Sequence, residues 1–348
     1  MRNTAIVTVA SLFVASFSFA TTPTPIFQSS LGRQSVVLVG TGSSVPLPLY
    51  RRWAQEYNQR APAIQMQYLP LGTSEGIKQV SHNVGDFGAG EAPLTVEERK
   101  AGLTELPVAV IAIVPIYNVP EIRDELRFSG ELLAGIFLGE VKTWDAKEVA
   151  RLNPGVTLPS LQIKVVHRPD GKGTNYVFTD FLSKTSAKFR TQIGTSVSPR
   201  WPVGAAAELS SDMTQMVKKE PGTIGYVELQ YALKDKVPYG SVLNAAGHFT
   251  KASTETIIAA CREVEAPQWE RFSASLTNAP GVDSFPISSF TWVYLRTQQL
   301  HTPRGRALAD LLIWMYGNGQ RFAVQLGYSQ LPRELLEQAQ KRVASLQQ

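Results

Sequence analysis

The sequence predicts an α/β fold in which two lobes are joined by crossing strands. Three segments, at 36–57, 66–80 and 163–182, share one plan: an apolar strand runs into a loop rich in glycine or polar residues, and a helix follows. Two apolar runs, at 107–117 and 285–295, have the character of buried strands that cross from one lobe to the other. Because ligands collect at the carboxyl ends of strands in open α/β sheets, we expect the three loops to share one site.

The lobes and helices follow from the apolar spacing along the chain. We expect lobe 1 to comprise 36–111 together with 290–348, and lobe 2 to comprise 112–289. Helices are predicted at about 131–138, 176–185, 209–219 and 253–264 in lobe 2, and at 304–326 and 331–345 in lobe 1. The apolar stripe of Trp314, Met315, Phe322 and Leu326 is typical of a helix face packed on a core.

The loop after the third of these strands carries the clearest chemical signal. Arg168 can direct two donors at an oxyanion, Asp170 can hold Arg168 in place, and the N-terminus of the following helix adds a partial positive charge. The loop is not a P-loop, because Lys172 is followed by Gly173 rather than by Ser or Thr. An ordinary strand–turn–helix connection with a surface Arg–Asp pair is the alternative, and this segment alone does not decide between the two.

Ordered motifs extend along most of the chain. They are Gly-x-Gly-x-x-x-Pro-x-Pro-x-Tyr at 40–50, Gly-Ile-Lys-Gln at 76–79, Asp-Phe-Gly-Ala-x-x-Ala-Pro at 86–93, Leu-Asn-Pro-Gly at 152–155, Arg-x-Asp-Gly-x-Gly-Thr at 168–174, and Pro-Gly-x-Ile-Gly-Tyr-Val-Glu at 221–228. On these motifs the chain resembles the periplasmic phosphate-binding proteins of the high-affinity phosphate ABC transporter. The resemblance implies a type II periplasmic binding protein: two lobes, two hinge crossover strands, and a ligand cleft between the lobes that closes on the anion.

The resemblance also implies the ligand-binding residues. They are Ser44 and Val45 in the first loop, Thr73 in the second, Glu91 in the third, and Arg168, Asp170, Lys172, Gly173 and Thr174 in the fourth. Two of these depart from the family pattern, because Glu91 stands where the family usually has Asp and Lys172 where it has Ser. In addition, the glycine-rich run of the family is here the sequence Ala-Ala-Ala-Glu at 205–208.

The two departures allow different interpretations. Glu91 can accept the proton that phosphate carries near neutral pH and repel sulfate, which carries none; alternatively it is a solvated loop carboxylate. Lys172 can offer only its backbone N–H to the anion while its side chain points to solvent, or its side chain can enter the pocket and alter the ligand preference.

Composition and the N-terminal sequence indicate an exported protein. Residues 1–20 read as a signal peptide, with an apolar run too short to span a bilayer and a small-x-small site before Thr21, and 21–35 as a flexible leader. The single cysteine, Cys261, is not at the first mature position, so we expect a periplasmic protein without a lipid anchor. The modest net charge of +5 is not the dense basic patch of a nucleic-acid-binding protein.

The predicted function is capture of inorganic phosphate and its delivery to a membrane ABC permease. One alternative is a paralogue that binds another oxyanion or a phosphate ester. A phosphatase is the other, but the sequence offers no credible nucleophile–base pair and no metal cluster. We therefore expect a monomeric binding protein with no catalytic residue, cofactor or metal.

Overall fold

The computed structural model describes residues 35–122, 125–263 and 275–347. Its strands are β1 (Val36–Gly42), β2 (Ile64–Leu69), β3 (Phe87–Gly90), β4 (Leu103–Tyr117), β5 (Arg127–Phe128), β6 (Lys164–His167), β7 (Ala205–Ala206), β8 (Thr223–Glu228), β9 (Ser241–Leu243), β10 (Phe249–Thr250) and β11 (Ser288–Arg296). Eight of them form a mixed sheet in the order β2-β1-β3-β11-β4-β8-β6-β7, and β10-β9-β5 form a small second sheet.

Helices cover the sheet and connect its strands. They are α1 (Leu47–Arg60), α2 (Thr73–Ser81), α3 (Val96–Lys100), α4 (Gly130–Phe137), α5 (Lys147–Leu152), α6 (Gly173–Thr185), α7 (Ala187–Gln192), α8 (Ser210–Lys219), α9 (Leu229–Asp235), α10 (Thr254–Arg262), α11 (Pro303–Trp314), α12 (Gln320–Gln325) and α13 (Arg333–Ser345). No helix in the described ranges combines the length and the apolar character needed to cross a membrane.

Strand β4 joins the two halves of the sheet. Its fifteen residues are almost all buried, as expected for an apolar run covered on both faces. It pairs with β11 as far as Ala112 and with β8 from Ile113 onward. We use lobe 1 for the side of β4 that holds β1, β2, β3 and β11, and lobe 2 for the side that holds β6, β7 and β8. The predicted α/β fold and two-lobed arrangement fit this topology, whereas the exact lobe boundaries stay a prediction.

Parallel pairing places several loops at one edge in each lobe. In lobe 1, β1 runs parallel to both β2 and β3, so the loops after these three strands leave the same edge of the sheet. In lobe 2, β6 runs parallel to β8 and β7. The loops predicted to bind the anion are therefore grouped within each lobe by strand direction alone.

The C-terminal helical region differs from the prediction. In place of one helix over 304–326, α11 and α12 are separated by a π-helical turn at Met315–Gly319. Glycines at 317 and 319 favour such an irregularity, and the indole N–H of Trp53 donates to the carbonyl oxygen of Gly319 at 2.8 Å. Trp314, Met315 and Phe322 are nevertheless buried, which confirms their predicted packing role, and Leu326 is half-buried against the same core.

Some predicted features cannot be followed in the structure. The signal peptide at 1–20 and the leader up to residue 34 lie outside the described residues. Cys261, by contrast, is described: it is buried on α10, and burial raises the pKa of its thiol to about 12.

Candidate functional site

Three long helices present uncapped N-termini at the predicted loops. The helices α1, α2 and α6 follow the loops after β1, β2 and β6, and none has a side-chain hydrogen bond that caps its N-terminus. The first N–H groups of a helix have no partner within the helix, and the helix dipole makes that end partially positive. The ends are not equivalent, because in α1 the N–H of Leu47 already donates to the carbonyl oxygen of Ser44 and Pro48 has no N–H, so α2 and α6 offer more of the backbone donors that suit a small anion.

The loops of the two lobes are in direct contact. The backbone N–H of Ser74 in lobe 1 donates to the carbonyl oxygen of Gly171 in lobe 2 at 3.1 Å. The guanidinium of Arg168 in lobe 2 donates to the hydroxyl of Ser44 in lobe 1 at 3.4 Å. Residues far apart in the sequence therefore meet in one closed cleft between the lobes.

Arg168 lies at the centre of this cleft and is 1% exposed. Its Nη1 donates to the hydroxyl of Ser210 at 2.8 Å, and its Nη2 donates to the carbonyl oxygen of Glu208 at 2.7 Å. Its Nε is buried without a hydrogen-bond partner among the described residues. The guanidinium is thus held from lobe 2 with donor capacity to spare, as a binding site for an oxyanion requires.

Asp170 does not have the role that we predicted for it. Its side chain is exposed and forms no hydrogen bond or ion pair with Arg168. Asp170 lies in a turn with Gly171, whose φ of 79° directs the chain toward α6, and carboxylates in turns commonly face solvent. Ser210 and the Glu208 carbonyl, which lie about 40 residues further along the chain, position Arg168 instead.

Glu91 is buried in lobe 1 and faces the cleft. It accepts hydrogen bonds from Thr73 Oγ1 at 3.3 Å and from Thr291 Oγ1 at 3.1 Å. Burial raises the pKa of its carboxyl to about 8, and the charge of Glu228 adds to that rise, whereas hydrogen bonds from Ser43, Thr291 and Thr73 oppose it. The solvated-loop interpretation of Glu91 is therefore wrong, because the side chain is 1% exposed.

Lys172 is buried and forms an ion pair with the carboxylate of Glu208. Its side chain is 8% exposed, so it does not point to solvent, and its ammonium is bound by Glu208. The stem passes close to lobe 1, since a Cβ placed on Gly72 would lie 3.6 Å from Lys172 Cδ. Two departures from the family pattern that we noted separately, Lys172 and Glu208, are thus partners of each other.

The remaining predicted residues are all buried at the same place. Thr73 and Val45 are almost fully buried, and Ser44 and Thr174 are nearly so. The hydroxyl of Thr174 is buried with no partner among the described residues, as is Arg168 Nε. A buried polar atom without a partner is costly, and an anion that accepted hydrogen bonds from these two atoms would remove that cost.

Sequence reasoning missed three residues that line the site. They are Ser210 at the start of α8, Thr291 on β11 and Glu228 at the end of β8, all of them buried. Glu228 stands in a motif that carried the family resemblance, but nothing in its sequence context marks it as a neighbour of Arg168. The hydroxyl of Thr291 reaches the site only through the pairing of β11 with β3.

Gly173 sits where the lobes come closest, and replacing it by alanine is expected to prevent full closure. A Cβ at this position would lie 2.0 Å from Glu91 Oε2 and 2.5 Å from Thr73 Oγ1, both in the opposite lobe. Because the clash exists only between closed lobes, Gly173→Ala should weaken anion binding by at least tenfold and leave the thermal stability of the ligand-free protein nearly unchanged. Isothermal calorimetry and a thermal melt measure the two effects.

Gly317→Ala provides the control, because a Cβ at Gly317 meets no atom within 4 Å. It should bind the anion as the wild type does. Normal affinity in Gly173→Ala would show that the contact between Gly173 and Glu91 is not part of the bound state.

Comparison with protein families and curated proteins places the chain among binding proteins. Residues 28–318 match the model of the PBP superfamily domain. A phosphate-binding protein PstS of Xylella fastidiosa is 35% identical over 314 residues, which cover 90% of this chain and 86% of that protein. The phosphate-binding protein PstS of Pasteurella multocida is 33% identical over 316 residues, 89% of this chain and 91% of that protein.

Solved structures of low sequence identity share the fold. A putative phosphate ABC transporter substrate-binding protein of Clostridium perfringens with bound phosphate has a TM-score of 0.63 at 18% identity, and the match covers 85% of this chain and all of that one. A high-affinity periplasmic phosphate-binding protein bound with phosphate has a TM-score of 0.70 at 16% identity, over 87% and 93% of the two chains. Both similarities support the two-lobed α/β fold.

Proposed function

The chain belongs to the PBP superfamily and, within it, to the phosphate-binding proteins, and from this premise we propose that it captures inorganic phosphate in the cleft around Arg168 and delivers it to an ABC importer. The protein acts by binding and not by catalysis. The observation that carries the assignment to this cleft is the buried guanidinium of Arg168, which has an unpartnered Nε and lies among uncapped helix N-termini from both lobes.

Binding in this cleft replaces the water shell of the anion with fixed donors. A desolvated anion loses a large solvation energy, so each oxygen needs hydrogen bonds from the protein. Arg168 Nε and the hydroxyl of Thr174 have no partner among the described residues, and the N–H groups of Gly173 and Thr174 at the start of α6 have no acceptor within the helix, so these groups can serve that task. Ser44, Val45, Thr73 and Gly173 complete the proposed set of ligand-binding residues, whereas Asp170 is left out of it because it is exposed.

The paired state of Lys172 argues against a second free cation in the site. With its ammonium on Glu208, the pair is neutral as a unit, and Arg168 remains the cation with unused donor capacity. A site with one available cation fits a single phosphate group better than a more highly charged anion. This supports inorganic phosphate over the alternative of a larger or more highly charged oxyanion.

Calorimetry on ligand-free protein tests the proposal directly. We expect tight binding of phosphate and of arsenate, which has the same shape and charge, weak binding of sulfate near pH 9, and no measurable binding of phosphate monoesters. Failure of the wild-type protein to bind phosphate would refute the proposal. A preference for a phosphate ester would support the paralogue alternative instead.

A double-mutant cycle tests the Lys172–Glu208 pair. Lys172→Ser leaves the Glu208 charge unpaired beside the anion and should weaken phosphate binding a few-fold, whereas Glu208→Gln frees the ammonium and should strengthen it a few-fold. The effects are modest because Glu208 is 65% exposed, and pairs of this kind contribute about 0.2–1 kcal/mol. The double variant Lys172→Ser, Glu208→Gln should bind like the wild type, because it loses one positive and one negative charge and the two opposite effects cancel. A double variant that binds phosphate as weakly as Lys172→Ser alone would show that the charge of Glu208 does not act on the anion.

We also propose that the protein works in the periplasm after removal of residues 1–20. Expression of the full chain in a two-membrane bacterium should yield a mature protein that begins at Thr21 and is released by osmotic shock. N-terminal sequencing checks the cleavage site. Retention of Met1, or recovery of the protein only in the membrane pellet, would contradict this location.

A further inference from the structure

Glu228 is a buried carboxyl group at the junction of the two lobes. It is the last residue of β8, its side chain is 0% exposed, and it pairs with Ile113 on β4. Ile113 is the residue at which β4 changes its partner from β11 to β8. Glu228 therefore occupies the place where a hinge movement of the lobes would be centred.

Both carboxyl oxygens of Glu228 are buried without a hydrogen-bond partner among the described residues. Burial raises the pKa of Glu228, and the positive charge of Arg168, which forms no direct ion pair with the carboxyl, opposes part of that rise. The Ser210 hydroxyl lies beside both groups: it accepts a hydrogen bond from Arg168 Nη1 at 2.8 Å and helps to lower the pKa of Glu228 without completing a well-aligned bond to it. A buried carboxyl with free oxygens and a buried guanidinium with a free Nε thus both interact with the Ser210 hydroxyl.

Other titratable groups face Glu228 from the elements packed around it. Glu91 on β3 has its pKa raised in part by the charge of Glu228. The hydroxyls of Tyr226, Tyr231 and Tyr328 also have raised pKa values, chiefly because they are buried and in part because of Glu228. The tyrosines stay protonated near neutral pH, so Glu228 and Glu91 are the two carboxyl groups of this cluster.

An anion that reaches Arg168 comes close to Glu228 as well. Two negative charges in a dry site cannot share one guanidinium without a large cost, and the usual response of a carboxyl group is to bind a proton. We propose that Glu228 is the counterion of Arg168 in the empty cleft and takes up a proton from solvent when the anion binds, so that capture of the anion consumes a proton. The proton moves from water to a carboxyl oxygen of Glu228, and no bond of the anion changes. This inference rests on the proposed function of the same cleft.

The position of Glu228 beside β4 couples its uptake and release of the proton to closing and opening of the lobes. When the lobes open, water reaches the junction and the carboxyl loses its proton, so Arg168 regains its internal counterion as the anion leaves. Glu228 is therefore a positioning residue: its carboxyl is charged when the cleft is empty and neutral when an anion is bound. The same exchange makes anion binding weaker at higher pH than it would be without Glu228.

Calorimetry in buffers of different ionisation enthalpy measures the proton uptake. The titrant is inorganic phosphate at pH 8.5, where free phosphate is the dianion. We expect Glu228→Gln to take up about one proton fewer per phosphate than the wild type and to bind phosphate at least as tightly, because it lacks the competing charge. Glu220→Gln, at an exposed surface ion pair with Lys164, is the matched control and should keep the wild-type proton count.

The outcomes separate this inference from the proposed function. If the wild type does not bind phosphate, the proposed function fails; if it binds phosphate and Glu228→Gln takes up as many protons as the wild type, only the role of Glu228 is overturned. Should Glu228→Gln fail to fold, infrared difference spectra of the Glu91→Gln variant provide the second measurement. A protonated carboxyl band that appears on phosphate binding supports the proposal, and its absence refutes it.

Discussion

Replacing Arg168 by alanine is expected to abolish phosphate binding. Arg168 is buried between the lobes; its Nε has no partner among the described residues, and its Nη2 donates to Ser44 in the opposite lobe. Loss of one partner of a buried charge-assisted contact costs about 2–5 kcal/mol. The dissociation constant should therefore rise by roughly 30-fold to several-thousand-fold. Calorimetry with phosphate measures the loss.

The structure adds a stability effect that must be separated from the binding effect. Arg168→Ala leaves Glu228 without its cation, so the ligand-free variant should melt at a lower temperature than the wild type, and Glu228 should be protonated in it. Arg168→Lys keeps the charge but cannot direct two donors at one anion, and we expect it to fold well and to bind phosphate weakly. If either variant binds within a few-fold of the wild type, the anion site is elsewhere.

Asp170→Ala is the matched control for this experiment. Asp170 stands two residues from Arg168, but it is exposed and has no contact with the guanidinium. Its removal should leave phosphate affinity unchanged within a factor of about two, as is usual for an exposed side chain without partners. A large loss of affinity in Asp170→Ala would restore the orienting role that the sequence suggested.

The predictable part of the site is the part that is local in sequence. Arg168, Thr73 and Ser44 could be proposed from the sequence because each lies at a junction between a strand and a helix, and the glycine and polar residues at such junctions are typical of an anion site. The closed state of the cleft and the pairing of Lys172 with Glu208 could not, because they depend on how segments more than 30 residues apart approach each other.

The residues that sequence reasoning missed also depend on contacts between distant segments of the chain. Thr291 reaches Glu91 across 200 positions of sequence, through the pairing of β11 with β3. Glu228 lies in an apolar strand and would ordinarily pass for a residue at a strand end that is open to water. Only the sheet order, which puts β8 against β4 and β6, brings it beside Arg168. The prediction for Asp170 was wrong for the opposite reason: Asp170 is close to Arg168 in the sequence, but the two side chains are not in contact.

Sulfate is expected to compete with phosphate below about pH 8 and to lose that ability above it. Burial raises the pKa of Glu91 to about 8, well above the usual value of 4.5 for a glutamate. Below pH 8 the side chain is a carboxylic acid that can donate its proton to any oxyanion, including sulfate. Above pH 8 it is a carboxylate that only accepts, so it repels sulfate but still receives a hydrogen bond from the proton of the phosphate dianion.

The direction of the pH effect on sulfate binding depends on whether Glu91 or the anion carries the proton of their hydrogen bond. Phosphate carries at least one proton of its own on both sides of pH 8, so a hydrogen bond with Glu91 is available whether Glu91 is protonated or not. Sulfate supplies none, so its hydrogen bond with Glu91 is lost as pH rises through about 8. Discrimination against sulfate should therefore be weak at pH 6 and strong at pH 9. Competition titrations with sulfate across this range measure it.

Glu91→Gln separates the charge of this side chain from its size. The glutamine amide is a permanent donor and carries no charge, so the variant should bind phosphate more weakly and accept sulfate equally at pH 6 and pH 9. The ligand-free wild type should also lose unfolding free energy as pH rises from 4.5 to about 8, because the folded protein keeps a proton that the unfolded chain releases; the variant should lose less. If Glu91→Gln rejects sulfate as well as the wild type does, selectivity depends on the size of the cleft and the geometry of its hydroxyls, and not on the proton held by Glu91.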